Sequence, residues 1–114
     1  MIFRQELARP RTEVEQQRLA EEMGPWARKI NAAGHKLDPR ILAAQVASFG
    51  ADGSPVRSTD AWPVTALLFV EASDLNEAAQ IAASHPGLQY GAQVEVRPWA
   101  LPAALALAAE NTPK

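Results

Sequence analysis

The sequence feature that most constrains the fold is the apolar run at residues 64–72, "VTALLFVEA". The run is continuous rather than alternating, and part of it is β-branched. A strand with one face in water would alternate apolar and polar side chains, so this pattern predicts a strand at the centre of a sheet. The rest of the chain is therefore expected to supply neighbouring strands and the helices that cover them.

A long helix is predicted between residues 12 and 34. Thr12 followed by Glu15 is the capping-box pair that starts a helix, and Gly34 is a stop because glycine adopts the left-handed conformation without steric cost. Pro25 lies inside the span and predicts either a kink near residues 23 and 24 or a break followed by a second helical piece. One apolar stripe at helical spacing must face a core, namely Leu19, Met23, Trp26, Ala27 and Ile30.

The remaining segments complete the predicted order of elements. Residues 1–7 form a weak first strand, and residues 41–50, "ILAAQVASFG", form a candidate second strand that leads into a hairpin turn at "ADGSP". A second helix has Ser73 as its N-cap and stops at Pro86 and Gly87. The alternating segment 92–99, "AQVEVRPW", is the last strand, and "LPAALALAAENTPK" predicts a short C-terminal helix.

This order predicts a ferredoxin-like α+β domain, β-α-β-β-α-β, with one antiparallel sheet and both helices on one face. The domain is expected to span residues 1–100, with a helical extension over residues 101–114. The other face of such a sheet is uncovered, and if it is apolar it packs best against a copy of itself. A homodimer is therefore expected, in the form of a dimeric α+β barrel.

Composition narrows the classes of function. The 114 residues suffice for one core, and the formal charge of −2 gives no electrostatic footprint for nucleic acid. The chain has no cysteine and only two histidines, so no transition-metal site is expected. No other cofactor is expected either. The longest apolar run is too short for a membrane span, and the first residues lack the apolar core of a signal peptide. No membrane partner and a cytoplasmic location are expected.

Several of these segments resemble the YCII-related (DGPF-domain) family. The stretch "SDLNEAAQIAASHPGLQYGAQVEVRPW" is similar to the family's C-terminal half, with its "(D/S)-L-x-E-A" helix and its final "(V/I)-E-V-R-P" strand. The segments "MIFRQ" and "EEMGPWARKINAAGHKL" look like the family's first strand and first helix, so the similarity covers roughly residues 1 to 99. The resemblance implies a ferredoxin-like fold that pairs into a dimeric α+β barrel.

The chain departs from the family at the motif that gives the family its name. Thr59 and Asp60 keep the start of the "D-G-P-F" region, but Ala61, Trp62 and Pro63 replace Gly-Pro-Phe. Enzymes of the wider family are thought to use a histidine-aspartate pair with the histidine on the first helix. Here Trp26 stands about where that histidine is expected, and His35 follows the helix.

Two residues are candidates for acid-base chemistry. Asp60 adjoins an aromatic side chain that could exclude water and raise its pKa; alternatively, Asp60 closes the turn before Pro63. His35 titrates near neutral pH and could pair with Asp38 or Asp60; alternatively, it only interacts with the dipole at the end of the first helix. His85, at the end of the second helix, has the same alternative explanation.

Three further residues are candidates for substrate binding. Trp26 and Trp62 could line a ligand pocket, although tryptophan is also typical of dimer interfaces, which is the interpretation favoured for Trp99. Arg97 could bind an anionic substrate, or it could form an ion pair with Glu95 that fixes the strand.

These residues indicate two classes of function. In the first, the protein is a small cofactor-free enzyme or small-molecule-binding protein that uses Asp60, with His35 assisting, in a cleft between the first helix and the sheet. A small organic molecule is then the expected ligand. In the second, the protein has lost the catalytic elements and acts as a binding or regulatory partner, a role suggested by family members encoded near alternative sigma factors.

Overall fold

The structure, a computed structural model, describes residues 1–57 and 60–99. It has a mixed α+β architecture with two helices and a four-stranded antiparallel sheet. In chain order the elements are β1 (Ile2–Gln5), α1 (Glu13–Ala32), β2 (Leu37–Ile41), β3 (Ser48–Phe49), β4 (Pro55–Val56), β5 (Val64–Val70), α2 (Leu75–Ala83), a short 3-10 helix (Pro86–Tyr90) and β6 (Ala92–Glu95). The predicted C-terminal helix and extension lie outside the described residues, as does Thr59.

The four-stranded sheet has the order β2-β5-β1-β6, and every neighbouring pair is antiparallel. The apolar run of residues 64–72 supplies β5, which lies between β2 and β1, so the prediction of a central strand is confirmed. Phe3 of β1 pairs with Ala66 of β5 on one side and with Val94 of β6 on the other. These pairs place β1 and β5 side by side in the middle of the sheet.

The first helix is one continuous element. Thr12 accepts a hydrogen bond from the backbone N–H of Glu15, and the Glu15 carboxylate accepts one from the backbone N–H of Thr12, so the predicted capping box is confirmed. Pro25 removes one helical hydrogen bond but does not break the helix. Buried Trp26 and Ile30, which follow Pro25, hold the second half of α1 against the core.

The second strand does not lie where the sequence predicts it. It forms at Leu37–Ile41, upstream of most of the predicted segment 41–50, and Pro39 lies inside it. In the described part of the chain β2 pairs with β5 alone, and such an edge position tolerates a proline because one side of the strand needs no N–H donors. The predicted hairpin turn is present, but it joins the short strands β3 and β4 in a separate two-stranded sheet.

The N-cap of α2 also differs from the prediction. Asp74, not Ser73, caps the helix by accepting a hydrogen bond from the backbone N–H of Glu77 at 2.8 Å. The backbone N–H of Ser73 instead donates to the Glu77 carboxylate at 3.0 Å. Both residue types are good caps, so the sequence could not decide between two adjacent positions.

Both helices cover the same face of the sheet. The buried core contains Met1, Phe3, Trp26, Ile30, Leu68, Ile81 and Ala82. Because side chains alternate along a strand, Ile2, Leu67 and Phe69 project to the opposite face. There the indole of Trp99 packs edge-on against the Phe69 ring, with 5.2 Å between the ring centroids. Trp99 is 80% exposed. Neither helix of the described chain combines the length and the hydropathy needed to span a bilayer.

Candidate functional site

A cavity of about 310 Å³ opens at the end of the sheet where β1 finishes and β5 and β6 begin. We call it the β1–α1 cavity, because the connection from β1 to α1 supplies more of its wall residues than any other segment. The first turn of α1, the residues before β5 and the residues before β6 close the rest. Its wall consists of Gln5, Glu6, Arg9, Pro10, Arg11, Glu15, Trp62, Tyr90 and Gly91.

Three local features position Tyr90 and Gly91 in this wall. Gly91 ends the 3-10 helix with φ 88°, a left-handed conformation that favours glycine. A Cβ at Gly91 would lie 3.1 Å from the Gln5 amide nitrogen, so the glycine also permits close approach of β1. The Tyr90 hydroxyl donates to the Glu22 carboxylate at 2.8 Å, which ties this segment to α1.

Two of the wall residues each carry a buried side-chain atom that has no hydrogen-bond partner in the described chain. These atoms are Gln5 Oε1 and Arg11 Nε. In the described chain every other buried side-chain nitrogen or oxygen has a hydrogen-bond partner. The Gln5 amide nitrogen donates to the Arg9 carbonyl at 3.3 Å, so the amide oxygen is the unused end of this side chain. Leaving such groups unpaired costs about 1–3 kcal/mol each, so their presence in one wall calls for an explanation.

The two carboxylates in the wall, those of Glu6 and Glu15, interact with residues other than Arg11. Glu6 lies 3.7 Å from Arg9, and the Glu15 carboxylate accepts the N–H of Thr12 in the capping box. Among the described residues no carboxylate lies within ion-pair distance of Arg11. Partial burial lowers the pKa of Arg11 below its usual range, and the nearby charge of Glu15 opposes that shift. Arginine stays protonated at neutral pH even so.

Asp60 fixes the segment that carries Trp62 into the wall. One carboxylate oxygen accepts the backbone N–H of Trp62 at 2.9 Å, and the other lies 3.4 Å from the Arg4 guanidinium. The same guanidinium donates to the Trp62 carbonyl at 3.1 Å. The Asp60 side chain is 48% exposed, and of the two residues it is Trp62 that lines the cavity.

His35 lies at the other end of the sheet from Asp60. Its Nδ1 is 2.8 Å from the carbonyl oxygen of Glu71, so Nδ1 carries the proton, and it is 3.6 Å from the Glu77 carboxylate. Glu71 follows the end of β5, whereas Asp60 precedes its start. A strand of seven residues spans roughly 20 Å at about 3.4 Å per residue. The structure therefore does not bring the two predicted catalytic residues together.

The other predicted binding residues occupy different places. Trp26 is buried in the core, where its indole N–H donates to the Ser84 hydroxyl at 2.9 Å. Arg97 is exposed and forms an ion pair with Glu95, the structural alternative considered from the sequence. A wider, more open depression of about 550 Å³ runs along β6, but its charged side chains, Arg4 and Glu95, have ion-pair partners.

His85 is a buried residue whose importance the sequence did not reveal. Its ring packs against Phe3 at 4.5 Å and Trp26 at 4.7 Å, and its Nδ1 accepts the backbone N–H of Gly87 at 2.9 Å. Burial lowers the pKa of His85 to about 4, and the positive charge of Arg11 acts in the same direction. A Cβ at Gly87 would lie only 3.0 Å from Nδ1, so this contact requires a glycine. The glycine two residues after His85 was therefore the sequence signal of the contact.

Comparison of this chain with protein-family models, with curated proteins and with solved structures gave no match. The function is therefore argued from the contacts of the chain itself.

Proposed function

We propose that the protein binds a small organic molecule in the β1–α1 cavity. The observation that carries the proposal is that Gln5 and Arg11, which each have a buried side-chain atom without a partner, line the same cavity. A ligand that hydrogen-bonds to both atoms would remove their desolvation cost. Trp62 and Tyr90 provide the broad apolar contact that ligand pockets typically use beside a few polar groups.

The proposal gives Asp60 a positioning role. Its carboxylate holds the backbone of Trp62 and the guanidinium of Arg4, and both contacts fix the aromatic wall of the cavity. Acid-base catalysis by Asp60, with assistance from His35, would require the two groups to converge on one point. Their contacts with opposite ends of β5 favour binding over catalysis. A catalytic role for Asp60 stays a prediction from the sequence.

We further propose the ferredoxin-like class, the YCII-related family and a homodimer. Support for the class comes from the sheet order β2-β5-β1-β6, in which the third of the long strands lies between the first and the second. Support for the family comes from the order of the motifs quoted above. Support for the dimer comes from the apolar side chains Ile2, Leu67 and Phe69 on the face opposite the helices. Sedimentation of a monomer at micromolar concentration would contradict the dimer.

The binding proposal is tested by saturation-transfer NMR on the full chain with a library of small organic fragments. At least one fragment should bind, and its signal should disappear in Trp62→Ala. The matched control is Trp99→Ala, because Trp99 lies on the opposite face of the sheet and should leave the signal unchanged. If no fragment binds, or if binding is the same in both variants, the proposal fails.

A loss of folding in Trp62→Ala would be detected by circular dichroism. The decision then rests on the unsubstituted chain. A bound fragment should shift the backbone amide resonances of Gln5 and Gly91 in a ¹⁵N correlation spectrum. Shifts confined to other parts of the chain would overturn the assignment of the cavity.

A further inference from the structure

We infer that the ligand of the β1–α1 cavity is a small organic monoanion, a carboxylate attached to a flat ring that also carries a hydroxyl group. This inference rests on the proposed function, since it names the class of molecule that the same cavity takes. Three features of the wall carry it: an unpaired cation, an unpaired acceptor and two aromatic side chains.

The negative charge is inferred from Arg11, which differs from the other arginines of the chain. Four arginines lie within ion-pair distance of a carboxylate: Arg4, Arg9, Arg40 and Arg97. Three others are exposed to solvent: Arg18, Arg28 and Arg57. Arg11 alone among them is partly buried and lacks a carboxylate partner in the described chain. A guanidinium withdrawn from water is stabilised by an anion, and a carboxylate fits its planar donors.

The size of the charge follows from the acidic groups in the same wall. Glu6 and Glu15 both line the cavity. Glu6 is matched by Arg9, which leaves Arg11 as the cation available to a ligand. A single carboxylate therefore matches the one charge of Arg11, whereas a doubly charged phosphate would bring a second negative charge near Glu6 and Glu15 with no further cation to match it.

The hydroxyl group is inferred from Gln5 and the ring from the aromatic wall. Gln5 Oε1 can only accept a hydrogen bond, so the ligand must bring a donor to it. Trp62 and Tyr90 favour a flat ring, which offers them contact without ordering flexible bonds. The volume of about 310 Å³ lies at the lower end of the range for ligand pockets, roughly 300–1,000 Å³, and suits a single ring.

The inference is tested with three probes of one shape and different charge. These are 3-hydroxybenzoate, neutral 3-hydroxybenzamide and cationic 3-hydroxybenzylamine, with inorganic phosphate as a fourth probe. Each is titrated into the full chain at pH 7 while the amide resonances of Gln5 and Gly91 are followed. The benzoate should bind at least tenfold more tightly than the amide, because a charge-assisted hydrogen bond is worth about 1.5–3 kcal/mol. The amine and phosphate should give no shift at these amides.

Arg11→Gln should weaken benzoate binding at least tenfold and leave amide binding within about twofold. The matched control is Arg40→Gln, because Arg40 lies on β2 at the edge of the sheet and pairs with Asp38. It should leave both affinities unchanged. Equal affinity for benzoate and benzamide, or unchanged benzoate binding in Arg11→Gln, would overturn the inference. If Arg11→Gln does not fold, the comparison of probes on the unsubstituted chain decides.

Failure of the inference differs from failure of the proposed function. If benzamide or benzylamine shifts Gln5 and Gly91 as strongly as benzoate does, the cavity binds small molecules and the anionic class is wrong. If neither these probes nor the fragment library shifts the two amides, the cavity is not a binding site, and both statements fall together.

Discussion

The two ends of β5 differ in whether the polar side chains around them have hydrogen-bond partners. At the end near Glu71, His35 binds a backbone carbonyl and faces the Glu77 carboxylate, and Glu77 also accepts the N–H of Ser73. At the end near Trp62, the wall of the β1–α1 cavity includes Gln5 and Arg11, whose buried atoms Oε1 and Nε have no partner in the described chain. At the first end the polar groups described are satisfied within the chain, whereas at the second end two residues that line a cavity each keep a buried atom without a partner.

This difference shows why a cluster of titratable residues is a poor guide to a binding site. His35, Glu71 and Glu77 are residue types that acid-base catalysis uses, yet their contacts join the end of a strand to the start of a helix. Arg11 and Gln5 look ordinary in the sequence. What distinguishes them is that each has a buried atom without a partner in the described chain.

The largest expected effect comes from the core beneath the cavity end. Trp26 packs on His85 and donates to Ser84, so it supports the segment that leads to Tyr90 and Gly91. Trp26→Ala should lower the free energy of unfolding by about 3–5 kcal/mol, as measured by urea denaturation. Trp99→Ala, which removes the edge contact with Phe69, should cost about 0.5–1.5 kcal/mol. A similar loss of unfolding free energy in the two variants would show that the contacts of Trp26 do not stabilise the segment that leads to the cavity.

The next effect is the pH dependence of stability that comes from buried His85. Because the pKa of His85 falls from its ordinary value of about 6.5 to about 4 on folding, the unfolded chain binds more protons between these values. Stability should therefore be complete above pH 6.5 and decrease as the pH falls toward 4, by about 2–3 kcal/mol in total. Urea unfolding at several pH values measures this slope.

The variant His85→Gln provides the control. It cannot titrate at this position, so it should lose most of the slope between pH 6.5 and pH 4, whatever its absolute stability. An unchanged slope in His85→Gln would show that the titrating group is not the buried histidine described above.

The smallest effect concerns Asp60, which holds the aromatic wall in place. Asp60→Ala removes the acceptor for the Trp62 N–H and should cost about 1 kcal/mol, whereas Asp60→Asn keeps an oxygen for that bond and should cost about 0.5 kcal/mol through loss of the exposed pair with Arg4. Thermal unfolding of both variants measures the difference. Equal costs for Asn and Ala would show that the bond to Trp62 does not hold the turn.

Local features of this fold could be predicted from the sequence, and features that depend on distant approach could not. The capping box at Thr12 and Glu15 and the stop at Gly34 are decided within a few residues, so the sequence predicts them. The strand at Leu37–Ile41 was missed because Pro39 argues against a strand unless the edge position is known. An edge position depends on the arrangement of the whole sheet.

The candidate site shows the same limit. The sequence predicts Trp62 as a ligand-contacting aromatic residue, and the structure places it in the cavity wall. It gives no sign of Gln5 or Arg11, because their lack of partners arises only when the β1–α1 connection meets residues 62 and 91 across the fold. His85 is similar, since its burial depends on Phe3 and Trp26, which lie far from it in the chain.

The most direct test of the central claim is a set of intermolecular nuclear Overhauser effects between 3-hydroxybenzoate and the isotope-labelled full chain. The account predicts contacts from the ligand ring to the Trp62 indole and to the Gly91 amide, and none to the His35 ring at the other end of β5. Contacts with His35, or a bound ligand with none to Trp62, would contradict the account.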